Sequence, residues 1–308
     1  MTPLALLLVL AAAGLHATWN YCAKRAGGGL PFVWLVGAII CAGYVPVVLF
    51  YWSHWPPVLS AGAVAWIVGS GVLKTSYSLF LQRGYRTGDF SLIYPLARGT
   101  GPLLSTLAAV VLLGERPSAL ALAGGAVIVA AIFWLTGGFA KVGARLRRSA
   151  AGSAGDSATP PSGAARPGRF SSVNYGVVSG VFIAAYTLWD RHGVAALAIA
   201  PVLYDAGTAF TQIVLLTPFA WRRRTEVARE WRVNRRWAFG VALLSPAAYV
   251  LVLTAMRFTP VSYIAPAREV SIVIGAFLGA KLLKEADARR RLWASAAMAA
   301  GVIALALG

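Results

Sequence analysis

The chain has 308 residues, of which 58% are hydrophobic and only 12% charged, and its formal net charge is +18. A soluble domain carries about a quarter charged residues, so this composition excludes an ordinary soluble protein and indicates a membrane protein with several spans. The basic residues lie in short stretches between apolar runs. This pattern points to membrane topology and anionic lipid head groups, and away from nucleic acid.

Ten apolar segments, many of them long enough to span a bilayer, follow one another along the chain. None of them alternates apolar and polar residues, so the sequence predicts an all-α polytopic membrane protein without barrel strands. In chain order the segments are 3–23, 32–52, 61–82, 90–113, 118–137, 173–192, 199–220, 237–257, 260–283 and 292–307.

Residues 143–170 differ in composition from the rest of the chain. They are rich in Ser, Gly, Ala, Pro and Arg and show no apolar periodicity. Such a composition predicts a flexible linker. The predicted domains are therefore a first five-helix repeat at 1–142, a linker at 143–171 and a second five-helix repeat at 172–308.

The two halves resemble each other at one constant offset of 170 positions. A repeat that keeps a single offset over several stretches sets the architecture before any local motif does. The matched pairs include Ala97 with Ala267, Arg98 with Arg268, Trp19 with Trp189, Asn20 with Asp190 and His16 with Tyr186.

An odd number of spans in each repeat has a topological consequence. Five helices bring the chain to the opposite side, so the second repeat is inverted and the substrate site lies near mid-membrane at the repeat interface. Basic residues concentrate in the connections after odd-numbered segments, from Lys24 and Arg25 to the stretch 281–291. The positive-inside rule places these connections and the linker in the cytoplasm and both termini outside, with the plasma or inner membrane as the expected location.

Three stretches resemble the EamA-type members of the drug/metabolite transporter superfamily. They are GLHATWNYCAK at 14–24, YPLARGTGPLLSTLAAVVLLGERPS at 94–118 and APAREVSIVIGAFLG at 265–279. The resemblance covers nearly everything outside the linker. It implies ten helices in two inverted repeats, a central cavity, and export or exchange of small metabolites, amino acids among them, without ATP hydrolysis. The second half departs from the pattern, because KEA at 284–286 stands where GER stands at 114–116.

Ionisable side chains inside the apolar segments are the first candidates for a substrate site, because charge within a bilayer is costly and usually faces a cavity or another charge. Arg98 and Arg268 are related by the repeat, and Lys74 adds a third cation to the two carboxylates Asp205 and Glu269. This excess of cations favours a substrate with a negative group, which arginine binds through two parallel hydrogen bonds. Internal pairing, for example of Arg268 with Asp205, is an open alternative.

Aromatic and polar residues on the same segments complete the predicted site. The further substrate-binding candidates are Tyr77, Tyr94, Tyr249, Tyr263, Trp19, Asn20, Trp189 and Asp190. The alternative for the aromatic residues is an interfacial belt. The candidates for proton or ion coupling are Glu269, Asp205 and His16, although a lone histidine is more often only hydrogen bonded.

The sequence contains none of the motifs that mark nucleotide loops, zinc proteases or serine hydrolases, so we expect no catalytic residue, metal site or cofactor. The predicted function is secondary active transport of a small polar metabolite, with amino acids and other carboxylate-bearing compounds among the candidates. A membrane-embedded enzyme acting on a lipid-linked substrate and a non-transporting membrane sensor are the alternatives. The expected partners are the substrate, a coupling proton or ion and anionic lipid; the oligomeric state stays open.

Overall fold

Helix is the dominant structure of the chain. The computed structural model describes residues 3–54, 60–113, 118–135, 172–256, 270–283 and 287–307, and within these ranges it contains ten α-helices and no β-strand. The all-α prediction is therefore confirmed for them. The helices are α1 (Pro3–Ala26), α2 (Leu30–His54), α3 (Ala61–Thr87), α4 (Phe90–Leu113), α5 (Ala119–Leu135), α6 (Ser172–Arg191), α7 (Pro201–Arg222), α8 (Arg224–Met256), α9 (Val270–Leu282) and α10 (Ala288–Leu307). The predicted linker lies outside the described residues.

Local sequence signals explain several helix boundaries. Ser60 caps α3, because its hydroxyl accepts a hydrogen bond from the Ala63 N–H at 3.1 Å. Pro201 occupies the first position of α7, where the missing N–H leaves no bond unmade. Gly27 follows α1 with φ of +57°, a left-handed conformation that glycine adopts without steric cost. These signals place the short turns that bring consecutive helices together.

The beginning of α8 corrects the sequence prediction. The predicted apolar segments 199–220 and 237–257 leave the basic stretch 222–236 between them as a loop, but α8 begins at Arg224, so only Arg223 separates it from α7. Arg, Glu and Ala favour helix, which extends α8 beyond its apolar part. The Asn234 side-chain amide also donates to the Glu230 carboxylate at 2.6 Å, a contact between residues one turn apart. The resulting helix has 33 residues and carries its basic residues on an exposed N-terminal extension.

Four of the described helices are long and apolar enough to cross a membrane by length and composition. They are Pro3–Ala26, Leu30–His54, Ala61–Thr87 and Arg224–Ala255. Large apolar side chains are exposed on several helices, including Leu49 on α2, Phe210 on α7 and Leu243 on α8. An exposed apolar surface of this kind suits contact with lipid.

Helix packing follows the repeat. The repeat partner of each helix in the first half is the helix five places later in chain order, so α1 corresponds to α6 and α3 to α8. When partners are exchanged, the contact of α1 with α8 becomes that of α6 with α3, and both contacts are present. The same exchange converts the contact of α4 with α6 into that of α9 with α1. The partners α2 and α7, α4 and α9, and α5 and α10 also contact each other directly. The described helices therefore pack in the pairwise pattern that a pseudo-two-fold axis produces.

The two largest apolar cores of the described residues share one helix. One core contains residues of α1, α2, α3, α4, α6 and α8, including the fully buried Tyr85 and Phe90. The second core joins α4, α5, α9 and α10 around side chains such as Ile128 and Met298. Since α4 contributes side chains to both cores, it connects them.

Candidate substrate cavity

A cavity of about 140 Å³ lies between the two repeats. Its walls come from α1, α2 and α3 of the first repeat and from α6, α7 and α8 of the second. All six helices thus contribute lining residues. Its polar lining residues include His16, Lys74, Gln82, Asp205 and Gln212, and its aromatic ones Trp19, Phe32, Tyr77, Tyr186 and Tyr249.

Lys74 is the centre of the charged groups at this cavity. Its ammonium nitrogen lies 3.5 Å from a carboxylate oxygen of Asp190 and 3.5 Å from one of Asp205. Lys74 belongs to α3, whereas both carboxylates belong to the second repeat. Because all three side chains are at most 16% exposed, each charge depends on the others and on nearby dipoles in place of water.

Asp190 is held by hydroxyl groups from three helices. The Tyr204 hydroxyl donates to it at 2.9 Å, and the hydroxyls of Ser70 and Tyr249 donate to it as well. With Lys74 added, the carboxylate has four polar partners, about the number that its lone pairs accept. Hydrogen bonds to a buried carboxylate replace its lost hydration, so these donors offset part of the cost of burying Asp190.

Asp205 is less enclosed and lines the cavity itself. The Tyr44 hydroxyl donates to its Oδ2 at 2.8 Å, while Lys74 lies near its Oδ1. Lys74 also lies 3.9 Å from the centre of the Tyr249 ring, a distance at which the ring face attracts a cation. The Lys74 ammonium is therefore shared among two carboxylates and an aromatic face.

The repeat-related pair Asn20 and Asp190 shows the same bonding pattern with different charge. Both side chains are almost fully buried, and each accepts a hydrogen bond from a tyrosine hydroxyl. For Asn20 the donor is Tyr85, at 2.7 Å, and the Asn20 amide in turn donates to the His16 carbonyl. Neither residue is in the cavity wall. Asn20 thus ties α1 to α3, whereas Asp190 acts on the cavity through Lys74.

The repeat-related tryptophans are placed differently. Trp19 lines the cavity, but Trp189 stacks on Trp66 with ring centroids 4.1 Å apart and an interplanar angle of 13°. Each indole N–H of this pair donates to the other residue's backbone carbonyl at 2.8 Å. Trp66 and Trp189 therefore form a reciprocal clamp between α3 and α6, close to the end of α6.

The structure brings only part of the predicted site to the cavity. Lys74, Asp205, His16, Trp19, Tyr77 and Tyr249 line it. Tyr94 does not, because it is 1% exposed and stacks on Phe90. Arg98 is 3% exposed on α4 and is likewise not among the lining residues. Arg268, Glu269 and Tyr263 lie outside the described residues, so the convergence of Arg98 with Arg268 remains a prediction.

The sequence analysis did not name Ser70, Ser78, Gln82, Thr208 and Gln212, although a signal for them exists beside the predicted Lys74, Tyr77 and Asp205. On α3, Ser70, Lys74, Tyr77, Ser78 and Gln82 recur at spacings of three and four, which puts a polar stripe on one helix face. On α7, Asp205, Thr208 and Gln212 recur in the same way and line the cavity. Tyr44 and Tyr204 carry no such signal, since each donates to a carboxylate on another helix. Across the described ranges, no group of three His, Cys, Asp or Glu side chains could hold a metal ion.

Comparison with known proteins identifies both halves of the chain. The sequence profile described as the EamA-like transporter family matches residues 3–137 and again residues 171–307. One solved crystal structure superposes with a TM-score of 0.57 over 98% of each chain at 17% sequence identity, a likeness of fold alone. The search of curated proteins returned no match.

Proposed function

Because this chain belongs to the EamA-like transporter family, as both of its halves match the family profile, we propose that it is a secondary active transporter of a small polar metabolite. The cavity at the repeat interface would bind the substrate, and alternating access would expose it to each side in turn. The observation that carries the proposal is the charged pair of Lys74 and Asp205 in the wall of this cavity, with Asp190 in contact with Lys74. Charged side chains inside membrane-spanning helices are costly, and they usually mark a substrate or ion pathway.

The pairwise exchange of helix contacts supports a transport cycle. If the two repeats are inverted, swapping the conformations of the repeats converts an inward-facing cavity into an outward-facing one. In this proposal the two five-helix repeats span 1–142 and 172–308, and the linker at 143–171 is cytoplasmic. Both termini are on the outer side of the cell membrane, since the basic connections concentrate on the cytoplasmic side.

The proposed substrates are metabolites with a charged group, amino acids and other carboxylate-bearing compounds among them. The proposed direction is export or exchange. Asp205 and His16 line the cavity and remain our candidates for proton coupling. Glu269 is a further candidate, as are Arg98 and Arg268 for binding a carboxylate.

Untargeted metabolite profiling of the culture medium tests this function without a guessed substrate. Cells expressing the wild-type chain are compared with cells expressing Asp205→Asn at equal membrane abundance. We expect at least one polar metabolite whose extracellular level depends on the wild-type protein, and whose flux is then reproduced in proteoliposomes. Identical medium profiles for cells with the wild type, cells with the variant and cells without the protein would contradict the proposal.

A further inference from the structure

We propose that Lys74 is a tethered cation that a substrate ammonium group displaces from Asp205. This inference rests on the proposed function, because it names the group that the substrate presents to the transport cavity. It predicts that the cavity recognises a cationic amine on an apolar or aromatic body. A carboxylate without an amine is then not a ligand of this site.

Charge balance is the first argument. Within the part of the chain that the structure describes, the charged residues of this site are one cation, Lys74, and two carboxylates, Asp190 and Asp205. The group therefore carries one excess negative charge in a region with little water. An added cation would neutralise it, whereas an added anion would raise the unfavourable charge at a place where screening is weak.

The two carboxylates differ in what they still can bind. Asp190 has four polar partners, three hydroxyl groups and Lys74. Asp205 has two among the described residues, Tyr44 and Lys74. Since a carboxylate accepts about four hydrogen bonds, Asp205 has room for two more donors. It also lines the cavity, which makes it the carboxylate that an incoming ammonium would reach.

Lys74 is positioned to move between these partners. Its distance of 3.5 Å to each carboxylate is longer than the roughly 2.7–2.9 Å of a strong charge-assisted hydrogen bond. Its hydrogen bond to the Thr208 hydroxyl is also long, at 3.4 Å. When it leaves Asp205, the ammonium still has Asp190 and the face of Tyr249. Displacement therefore does not leave a buried cation without compensation.

The walls and volume of the cavity describe the rest of the ligand. Trp19, Tyr77, Tyr186 and Phe32 provide aromatic surface around the charged group. Its volume of about 140 Å³ is close to the roughly 150 Å³ of a protein cavity that binds benzene. An aromatic or similarly compact apolar body carrying one ammonium group fits both observations.

The test measures binding of three probes to the purified full-length protein by calorimetry. Phenethylamine carries the ammonium alone, 3-phenylpropionate the carboxylate alone, and phenylalanine both. We expect phenethylamine to bind the wild type, and Lys74→Gln to tighten this binding about tenfold or more, because the competing tethered cation is removed. Asp205→Asn should weaken it by at least about the same factor. Lys74→Arg keeps the tethered charge and should give no gain.

Folding is controlled separately, by melting temperature and by size-exclusion chromatography of each variant. Lys74→Gln leaves Asp190 with three hydroxyl donors and Asp205 with Tyr44, so we expect it to fold. Weaker phenethylamine binding in Lys74→Gln would overturn the inference, as would 3-phenylpropionate binding that depends on Lys74. The predicted binding pattern without flux in proteoliposomes would instead contradict the proposed function and leave the inference standing.

Discussion

At the scale of single residues, the hydroxyl groups around Asp190 are the least expected feature of the site. Lys74 and Asp205 stand out in the sequence because charge is rare in apolar segments. Tyr204 does not, since a tyrosine in such a segment is ordinary. Ser70 follows the polar stripe of α3, but its contact with Asp190 joins residues 120 positions apart. The sequence could thus predict the charges of the site but not the donors that hold them.

Tyr249→Phe tests this hydroxyl arrangement. The change removes the hydroxyl that donates to Asp190 and keeps the ring that faces Lys74. A buried acceptor that loses a donor costs about 1–3 kcal/mol, so we expect the free energy of unfolding to fall by that amount and flux to fall with it. Unfolding in detergent micelles measures the former.

Tyr21→Phe is the matched control. The Tyr21 ring packs edge-on against Trp237, and its hydroxyl has no hydrogen-bond partner in the residues that the structure describes. We expect its unfolding free energy to change by less than about 0.5 kcal/mol. Equal effects of Tyr249→Phe and Tyr21→Phe would show that the Asp190 bond contributes nothing measurable.

At the scale of helices, the clamp between Trp66 and Trp189 joins α3 to α6 across the repeats. The close approach depends on Gly69, where an added Cβ would lie 2.5 Å from the Trp189 ring. The sequence pairs Trp189 with Trp19 through the repeat, yet the two indoles have different surroundings. A repeat predicts equivalent backbone positions, whereas the contacts of a side chain depend on its neighbours in three dimensions.

Gly69→Ala should open this clamp. Overpacking of a tight contact costs about 1–3 kcal/mol, so we expect a lower melting temperature and slower flux. Gly43→Ala is the control, because a Cβ at that position of α2 would meet nothing within 4 Å apart from its own helix turn. A Gly69→Ala protein as stable and as active as Gly43→Ala would mean that the clamp has no role.

The beginning of α10 makes a second contact between elements that the sequence did not indicate. The stretch DARRR at 287–291 reads as an insert, but Arg291 is only 8% exposed and pairs with Asp89 at 2.7 Å. It also donates to the Ser91 hydroxyl at 2.9 Å. Arg291 therefore links the beginning of α10 to the beginning of α4 through an ion pair and a hydrogen bond.

Two matched substitutions test the contact between α10 and α4. Arg291→Gln and Arg290→Gln each remove one positive charge, but only Arg291→Gln removes the contacts with Asp89 and Ser91. Among the described residues Arg290 pairs with the nearby Asp287 on an exposed surface, where an ion pair contributes less than about 1 kcal/mol. Arg291→Gln removes the ion pair of a buried arginine with Asp89, which is 45% exposed, and also the hydrogen bond to Ser91, so we expect the larger loss of stability. Unfolding experiments on both variants compare the two losses, and equal losses would contradict the assignment of Arg291 as a fastening residue.

At the scale of the whole molecule, the sequence predicted the fold better than the site. Apolar runs and a constant 170-position offset are enough to predict ten helices in two repeats, because both are properties of the chain itself. The predicted start of α8 was wrong, since hydropathy detects the apolar span and not the polar extension of the same helix. The meeting of Lys74 with Asp190 and Asp205 is a consequence of how the repeats pack, which no local pattern contains.

Alternating access of the cavity is the central claim, and thiol labelling tests it without a known substrate. Cys22 and Cys41 are first replaced by serine, and a single cysteine is placed at Ser78, which lines the cavity. Cysteines at Ser53 and Thr87, exposed at the ends of α2 and α3, report the two sides of the membrane. A membrane-impermeant thiol reagent is then applied from one side at a time.

We expect the Ser53 position to react only from outside and the Thr87 position only from the cytoplasm, as the basic connections predict. The cysteine at Ser78 should react from both sides, because the cavity opens to each in turn. Labelling of the Ser78 position from one side alone, with the two end positions behaving as expected, would contradict the account.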